Sequence, residues 1–192
     1  MKKAEYTDKA LIVDILTKSF ETNQSVNYIV KQDEKRLERI KALMEYSFEV
    51  CYLFGDVFIS DYNYACALVL YPDKKKTTLK SILLDIKLIL SCVGINNIQK
   101  TLAREALIKK IQPKESMYYL WFIGVDPDYQ GGRIGSALLE ELIADSRLKG
   151  RPIYLETSTL KNLPWYEKFG FKIYHEAELS YKLFFLKKEL NK

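Results

Sequence analysis

The sequence contains few residues of the kinds that build metal sites and disulfide frameworks. It has three cysteines, at positions 51, 66 and 92, and a single histidine, His175. The cysteines are odd in number, lie far apart and form no Cys-x-x-Cys pair, so we expect neither disulfides nor a metal site. Each lies among apolar residues and is predicted to be a small buried hydrophobe, which favours a reducing, cytoplasmic location.

Long apolar runs and long basic runs are also missing. No apolar signal core follows the N-terminus. The most hydrophobic stretch, residues 82–95, is interrupted by Asp85 and Lys87, so we predict a buried or lid helix that is too short to span a bilayer. The net charge of +5 is modest for 192 residues, and the densest basic cluster, Lys74–Lys76, is interpreted as a solvated loop. We therefore expect no membrane and no nucleic-acid partner.

The composition is that of a folded protein, with 48% hydrophobic and 29% charged residues. The length predicts a single domain over residues 1–192, with a helical insertion at about 78–113. Periodicity and turn residues predict the following order of elements: a helix capped by Thr7, a polar turn at Asn23–Ser25, a helix over 33–52, a hairpin of strands 56–60 and 65–71, two helices within 78–111, a strand over 117–125, a helix ending near Gly150, a strand over 152–157, a short helix over 163–169, and strands at 171–174 and 179–186. The alternation of helix and strand in the second half favours α/β or α+β packing around one sheet.

A glycine-rich loop joins the strand at 117–125 to the following amphipathic helix. The first turn of a helix has unpaired backbone N–H groups and a partial positive charge, so this junction is a potential anion site. Glycines at 131, 132 and 135 let phosphate oxygens approach the backbone, and Arg133 and Ser136 can add a charge and a hydroxyl. The Gly-Lys-Ser/Thr ending of nucleotide triphosphatases is absent, and Arg133 stands where the dinucleotide fingerprint needs glycine.

The same loop resembles the coenzyme A loop of the Gcn5-related N-acetyltransferase (GNAT) family. That pattern is Gln/Arg-x-x-Gly-x-Gly/Ala, preceded by a strand ending in Val and a turn with Pro, and it is matched around Val125 and Pro127. Arg133 departs from it, because it replaces the first glycine. The resemblance implies that the pyrophosphate of coenzyme A is held by Gln130, Gly131, Gly132, Arg133, Ile134, Gly135 and Ser136. A glycine-rich turn without a ligand is the alternative.

A second segment strengthens the resemblance. Asn162, followed by Tyr166-x-x-x-Gly170-Phe171, is similar to the family's second coenzyme motif. Asn162 is predicted to cap a short helix, and Gly170 to end it in a left-handed conformation. The resemblance implies that Tyr166 is the general acid for the departing thiolate and that Asn162 contacts the coenzyme; a core aromatic and a simple helix cap are the alternatives. It also implies that the backbone at Ile123 and Val125 pairs with pantetheine.

The fold implied by the resemblance is a mixed, mostly antiparallel central sheet flanked by helices, with the helical insertion before the central strand. The implied activity is direct transfer of an acetyl group from acetyl-CoA to a primary amine of a small molecule. The alternatives are a protein or peptide N-acetyltransferase and a non-catalytic acyl-CoA-binding module. A monomer or a homodimer is expected, and the identity of the acceptor is open.

An amine with a pKa near 10.4 must lose a proton before it attacks, and the sequence leaves the general base for this step unassigned. Glu156 is the best local carboxylate. Tyr119 stands where some relatives have a glutamate, and a tyrosine is a poor base at neutral pH. Aromatic residues that could line the acceptor pocket are Tyr28, Tyr62, Tyr64, Tyr118 and Trp121, with plain core packing as the alternative.

Overall fold

A seven-stranded sheet runs through the molecule, and the computed structural model describes the chain over residues 1–190. The strands are β1 (Lys2–Lys3), β2 (Gly55–Ile59), β3 (Ala65–Leu70), β4 (Tyr118–Val125), β5 (Ile153–Thr157), β6 (Lys172–Glu178) and β7 (Lys182–Lys188). Their order across the sheet is β1-β2-β3-β4-β5-β7-β6, and only β4 and β5 run parallel. The expected mixed, mostly antiparallel sheet is confirmed.

Helices cover both faces of the sheet. They are α1 (Lys9–Phe20), α2 (Gln24–Ile29), α3 (Arg36–Phe54), α4 (Leu79–Leu88), α5 (Ile98–Ile111), α6 (Ile134–Leu148) and α7 (Leu163–Lys168). The apolar stripes of α1 and α3 are buried on one face, and those of α6 and α7 are buried on the other. The three cysteines are buried and free, as the sequence predicts.

Two local predictions about the first helices are wrong, and one short strand was not predicted. The chain enters α1 through a short 3₁₀ turn, Tyr6–Asp8, in which Glu5 and Asp8 form a capping box, so Thr7 is not the cap. The polar turn predicted at Asn23–Ser25 is instead the start of α2, because the Asn23 side chain accepts a hydrogen bond from the Val26 N–H at 3.0 Å. Strand β1 is too short to leave a periodic signal and was not predicted.

The insertion is two helices joined at a sharp bend. Thr78 and Ser81 form a capping box at the start of α4. The helix widens into a π-turn over Ile89–Val93 and stops at Gly94, whose φ of 71° ends it. Over residues 1–190 no single helix is long and apolar enough to cross a membrane; Leu79–Val93 and Ile95–Ile111 reach that length and composition only as a pair, bent by 103°.

The prediction of a buried or lid helix over residues 82–95 is correct for only one face of that segment. Leu84 and Leu88 pack against the core beside α3, and Cys92 is buried. Leu83 and Leu90 point outward and are 66% and 67% exposed. The insertion therefore covers the α3 side of the sheet with one face and leaves an apolar face uncovered by the described residues.

Candidate active site

The site lies where β4 and β5 separate. These parallel strands pair only at Tyr118–Ile153 and Tyr119–Tyr154, and beyond those pairs they diverge. A cleft of about 830 Å³ opens in the gap. Its lining includes residues 119–125 of β4, residues 155–162 from β5 onward, and the glycine-rich loop.

The backbone of β4 supplies unpaired hydrogen-bonding groups to this gap. The Asp126 N–H donates to the Tyr64 carbonyl of the β3 side at 2.8 Å. Antiparallel pairing alternates, so Gly124 also faces β3, while Ile123 and Val125 face away from it. The Val125 carbonyl accepts from the Ser19 hydroxyl at 2.7 Å. Among residues 1–190, the Val125 N–H and both backbone groups of Ile123 have no sheet partner.

The glycine-rich loop brings the start of α6 to the same cleft. Gly131 has φ of 88° and Arg133 has φ of 60°, so the loop makes two left-handed steps before α6 begins at Ile134. A left-handed backbone conformation is unfavourable for a residue with a Cβ, yet Arg133 adopts it at the N-cap of α6. Gly135 packs close to β4, since a Cβ there would lie 3.1 Å from the Val125 Cγ2. The predicted junction of strand, loop and helix start is present.

Side chains of the loop are tied to its neighbours. The Gln130 amide donates to the Val125 carbonyl at 3.2 Å. The Ser136 hydroxyl accepts from the indole N–H of Trp165 at 3.0 Å, which links α6 to α7. Gln130, Gly131, Arg133, Ile134, Gly135 and Ser136 all line the cleft, whereas Gly132 is exposed outside its lining.

The second motif forms the opposite wall. Asn162 stands at the start of α7 and lines the cleft, but its side chain makes no capping hydrogen bond, so the predicted cap is wrong. Gly170 ends α7 with φ of 79°, and the Phe171 N–H donates to the Tyr166 carbonyl at 3.2 Å, as predicted for a left-handed C-terminus. The free Asn162 amide is therefore available to a ligand.

Tyr166 is both a core aromatic and a cleft residue. Its ring packs edge-on against Phe171 at 5.5 Å and beside Trp165 at 4.7 Å. Its side chain lines the cleft, and its hydroxyl has no hydrogen-bond partner among residues 1–190. Burial raises the pKa of Tyr166 well above its usual value, so the phenol is protonated at neutral pH and can donate a proton.

Glu156 faces the cleft from β5. Its carboxylate accepts from the Tyr119 hydroxyl at 2.6 Å and from the Gln112 side-chain amide at 3.0 Å. Burial raises the pKa of Glu156, and these two hydrogen bonds and the nearby Arg104 oppose that rise. Gln112 directly follows α5, so the insertion orients this carboxylate. A carboxylate with a raised pKa is a better base than an ordinary one near neutral pH.

A buried arginine connects the insertion to the rest of the cleft. The Arg104 guanidinium donates to Tyr181 Oη at 3.0 Å, to Ser25 Oγ at 2.6 Å and to Glu105 at 2.6 Å. Thr101, one turn earlier on α5, lines the cleft, and its buried hydroxyl has no hydrogen-bond partner in the described chain. The sequence carries no local pattern that identifies these residues, because their partners are far away along the chain.

The aromatic lining differs from the prediction. Of the five aromatic residues that the sequence suggests, only Trp121 lines the cleft. Tyr28 packs on Tyr181, Tyr62 is 81% exposed, Tyr64 stacks on Tyr129, and Tyr118 is buried in the core of the α6 face. Aromatic residues of the lining that the sequence did not indicate include Phe20, Tyr46, Tyr119 and Phe122. His175 is exposed on β6, outside the cleft lining.

The arrangement of the splayed strands, the loop and the α7 wall agrees with comparisons to known proteins. Residues 91–173 match the model of the acetyltransferase (GNAT) domain. This match covers less than half of the chain and supports the resemblance of that part to the GNAT family. A glucosamine 6-phosphate N-acetyltransferase from Trypanosoma brucei brucei is 38% identical over 74 residues, which are 36% of this chain and 50% of that protein. The matched segment thus spans only half of that relative.

Solved GNAT structures resemble the whole chain in fold. A Corynebacterium glutamicum protein described as a histone acetyltransferase and related acetyltransferase has a TM-score of 0.72 at 18% identity, covering 100% of this chain and 96% of that one. Arylalkylamine N-acetyltransferase 2 from Aedes aegypti has a TM-score of 0.63 at 14% identity, covering 99% and 98%. These likenesses support the GNAT fold for this chain.

Proposed function

We propose that the protein is an acetyl-CoA-dependent N-acetyltransferase that acts on a primary amine of a small molecule. The observation that carries the proposal is one continuous cleft. It runs from the N-terminus of α6, along the unpaired β4 backbone at Ile123 and Val125, to Tyr166 and Glu156. Groups suited to an anion, groups suited to amides, a proton donor and a proton acceptor thus line the same cleft.

The cleft fits coenzyme A by its hydrogen-bonding groups. The N–H groups at the start of α6 and the exposed Arg133 suit a pyrophosphate. The free backbone groups of Ile123 and the Val125 N–H suit the amides of pantetheine, which can add to β4 as a short strand does. The free amide of Asn162 suits a polar group of the same arm. Acetyl-CoA supplies an activated acetyl group; binding and proton transfer belong to the protein.

Two proton transfers are assigned to this chain's residues. Glu156 accepts a proton from the ammonium of the acceptor, so that the amine can attack as a neutral nucleophile. Because the pKa of Glu156 is raised, it differs less from the pKa of the amine. The amine nitrogen forms a bond to the acetyl carbon, and the bond from that carbon to sulfur breaks. Tyr166, whose raised pKa keeps its phenolic proton in place until then, donates that proton to the departing sulfur, and the second proton that the nitrogen loses restores the phenol. Tyr119 and Gln112 are positioning residues that hold the Glu156 carboxylate.

Release of free thiol from acetyl-CoA tests the proposal. The wild-type protein is assayed across amines, lysine peptides and protein N-termini, and coenzyme A binding is measured in parallel by calorimetry. We expect amine-dependent thiol release with a small-molecule amine. Coenzyme binding without release for any acceptor would replace the enzyme with an acyl-CoA-binding module. Release confined to peptides would replace the small-molecule acceptor.

The remaining predictions concern the organisation of the chain in the cell. One domain over the whole chain, a cytoplasmic location and a monomer or homodimer stay predictions. Size-exclusion chromatography with light scattering measures the oligomeric state directly.

A further inference from the structure

The part of the cleft beyond the splayed strands, opposite the loop, is walled by side chains from separate elements. We call this part the acceptor chamber and define it by Phe20, Ile29, Leu43, Tyr46, Leu88 and Trp121 together with Glu156. Phe20 comes from α1, Ile29 from α2, Tyr46 from α3 and Leu88 from α4. Four of the five helices that precede β4, together with Trp121 of β4 itself, therefore supply the apolar walls of the chamber.

A bulge in β4 places the largest aromatic residue in this chamber. The β3–β4 register shifts so that Val69 pairs with Leu120 and Leu68 with Phe122, which leaves Trp121 as the extra residue. A bulge breaks the alternation of faces, so Trp121 and Phe122 both lie on the α1–α3 side. Trp121 is only partly buried. Part of a large, flat indole surface is thus left for a ligand.

Other aromatic rings extend that surface. Tyr46 lies edge-on to Trp121 with ring centroids 6.2 Å apart, and Tyr119 lies nearly parallel to it at 6.4 Å and 24°. Phe20 meets Phe122 edge-on at 5.0 Å. The Tyr119 hydroxyl reaches Glu156, so the aromatic surface leads directly to the proposed base. A flat group on the ring surface would be within reach of that carboxylate.

The charges of the chamber favour a cation and disfavour an anion. Glu156 and Glu105 line the cleft as carboxylates. The basic residues of the lining are Arg133 and Lys161, which belong to the loop and to the segment before α7, and Arg104, which stands beside the two carboxylates. Its guanidinium is 10% exposed and already donates to Glu105, Ser25 and Tyr181. A phosphate would have to compete for these donors next to two carboxylates. A protonated amine meets carboxylates and the faces of aromatic rings.

From these walls and charges we propose that the acceptor is a primary amine carried on an aromatic ring by a short flexible linker. The inference rests on the proposed acetyltransferase function and narrows its acceptor. The ring lies against Trp121 and Tyr46, and the amine lies at Glu156. A phosphorylated amino sugar, the acceptor named for the trypanosomal relative, has neither the flat apolar surface nor the charge that this chamber suits.

The test compares matched amines with the wild-type protein and saturating acetyl-CoA. The amines are 2-phenylethylamine, tryptamine, n-butylamine, glucosamine 6-phosphate and a lysine peptide. We expect kcat/KM for the two aromatic amines to exceed that for n-butylamine by about tenfold or more, as an apolar pocket discriminates between such groups. Preference for glucosamine 6-phosphate or for the peptide would overturn the inference while leaving acetyl transfer intact.

Calorimetry with coenzyme A bound separates failure of the chamber from failure of the chemistry. We expect 2-phenylethylamine to bind the coenzyme-loaded protein even when Glu156→Gln has stopped turnover. Thiol release with aliphatic amines but no binding of aromatic amines would reject the chamber alone. Binding of aromatic amines without thiol release from any amine in the wild-type protein would reject the proposed function and keep the chamber.

Two substitutions at Trp121 make the test specific. Trp121→Ala should raise KM for 2-phenylethylamine about tenfold more than KM for n-butylamine, and Trp121→Phe should restore most of the difference. Tyr62→Ala is the matched control, since Tyr62 is 81% exposed and far from the lining. Equal changes in KM for both amines in Trp121→Ala would overturn the placement of the ring.

Discussion

The proposed coenzyme half of the cleft, around the glycine-rich loop and the free backbone of β4, and the proposed acceptor half, around the acceptor chamber, are built in different ways. The coenzyme half uses backbone groups of β4, the loop and the start of α6, from residues that lie close together in the chain. The acceptor half uses side chains from the helices α1 to α5 together with Trp121 of β4 and Glu156 of β5, which meet only in the folded protein. The GNAT domain match covers residues 91–173 and thus leaves Phe20, Tyr46 and Leu88 outside. Backbone recognition leaves a sequence motif, whereas a side-chain chamber does not.

Gly135→Asp tests the proposed coenzyme half and should have the largest effect on coenzyme affinity of these variants. The new Cβ would lie 3.1 Å from the Val125 Cγ2, and the carboxylate would face the bound pyrophosphate. We expect coenzyme A affinity to fall on the order of 100-fold or more, because like charges repel strongly at a partly buried site. Calorimetry measures the affinity. Leu148→Asp, at an 89% exposed position of the same helix, is the matched control. Retained affinity would mean that the loop is not the pyrophosphate site.

Glu156→Gln tests the proposed base in the acceptor half. The substitution keeps the shape of the side chain and removes the proton acceptor. We expect kcat to fall by about 10²–10⁴-fold, the usual range for general base catalysis, with coenzyme A affinity unchanged. Glu140→Gln, on the exposed side of α6, is the control. An unchanged kcat would show that Glu156 is not the general base.

The same variant has a defined pH dependence. Because the pKa of Glu156 is raised, wild-type activity should decline as pH falls through a value above the usual carboxyl pKa of about 4.3. The advantage of wild type over Glu156→Gln should shrink over that range. A carboxyl whose pKa is raised in the folded state contributes stability at pH values below its unfolded-state pKa. This contribution is lost as pH rises through its folded-state pKa. The melting temperature of Glu156→Gln minus that of wild type should therefore be larger at pH 8 than at pH 5.

Tyr166→Phe tests whether the Tyr166 hydroxyl donates the proton to the departing sulfur. The ring packing against Phe171 and Trp165 should survive, since only the hydroxyl is removed. We expect kcat to fall by about 10²-fold, the lower end of the usual range for general acid catalysis, with a small change in coenzyme affinity. Steady-state kinetics and calorimetry give both quantities, and Tyr62→Phe is the exposed control. A kcat equal to wild type would assign Tyr166 to the core alone.

Arg133→Gly carries the smallest expected effect and separates backbone from charge in the loop. Glycine tolerates the φ of 60° that Arg133 holds, and this relief is partly offset by the greater flexibility of the unfolded chain. We expect the midpoint of thermal unfolding to rise by about 1–3 °C. Coenzyme affinity should fall only severalfold, since an exposed charge contributes little. A loss near that of Gly135→Asp would make Arg133 a principal binding group.

Local patterns account for most of the fold and for the coenzyme half. The hairpin of β2 and β3, the helices of the insertion and the helix that ends near Gly150 follow from periodicity, caps and turn residues. The left-handed end of α7 at Gly170 was likewise predictable, because glycine tolerates that conformation at low cost. The short elements β1 and α2 were not, because neither is long enough to show a period.

The sequence by itself determined the order of the longer elements, the motifs that resemble the GNAT family and the residues that could hold a phosphate. Only the tertiary structure decided that β4 and β5 separate, that a bulge turns Trp121 toward α3, and that Gln112 and Tyr119 hold Glu156. The physical reason is range. Caps, turns and periodicity depend on neighbours along the chain, whereas the acceptor chamber depends on contacts between residues up to about a hundred positions apart, which no local pattern encodes.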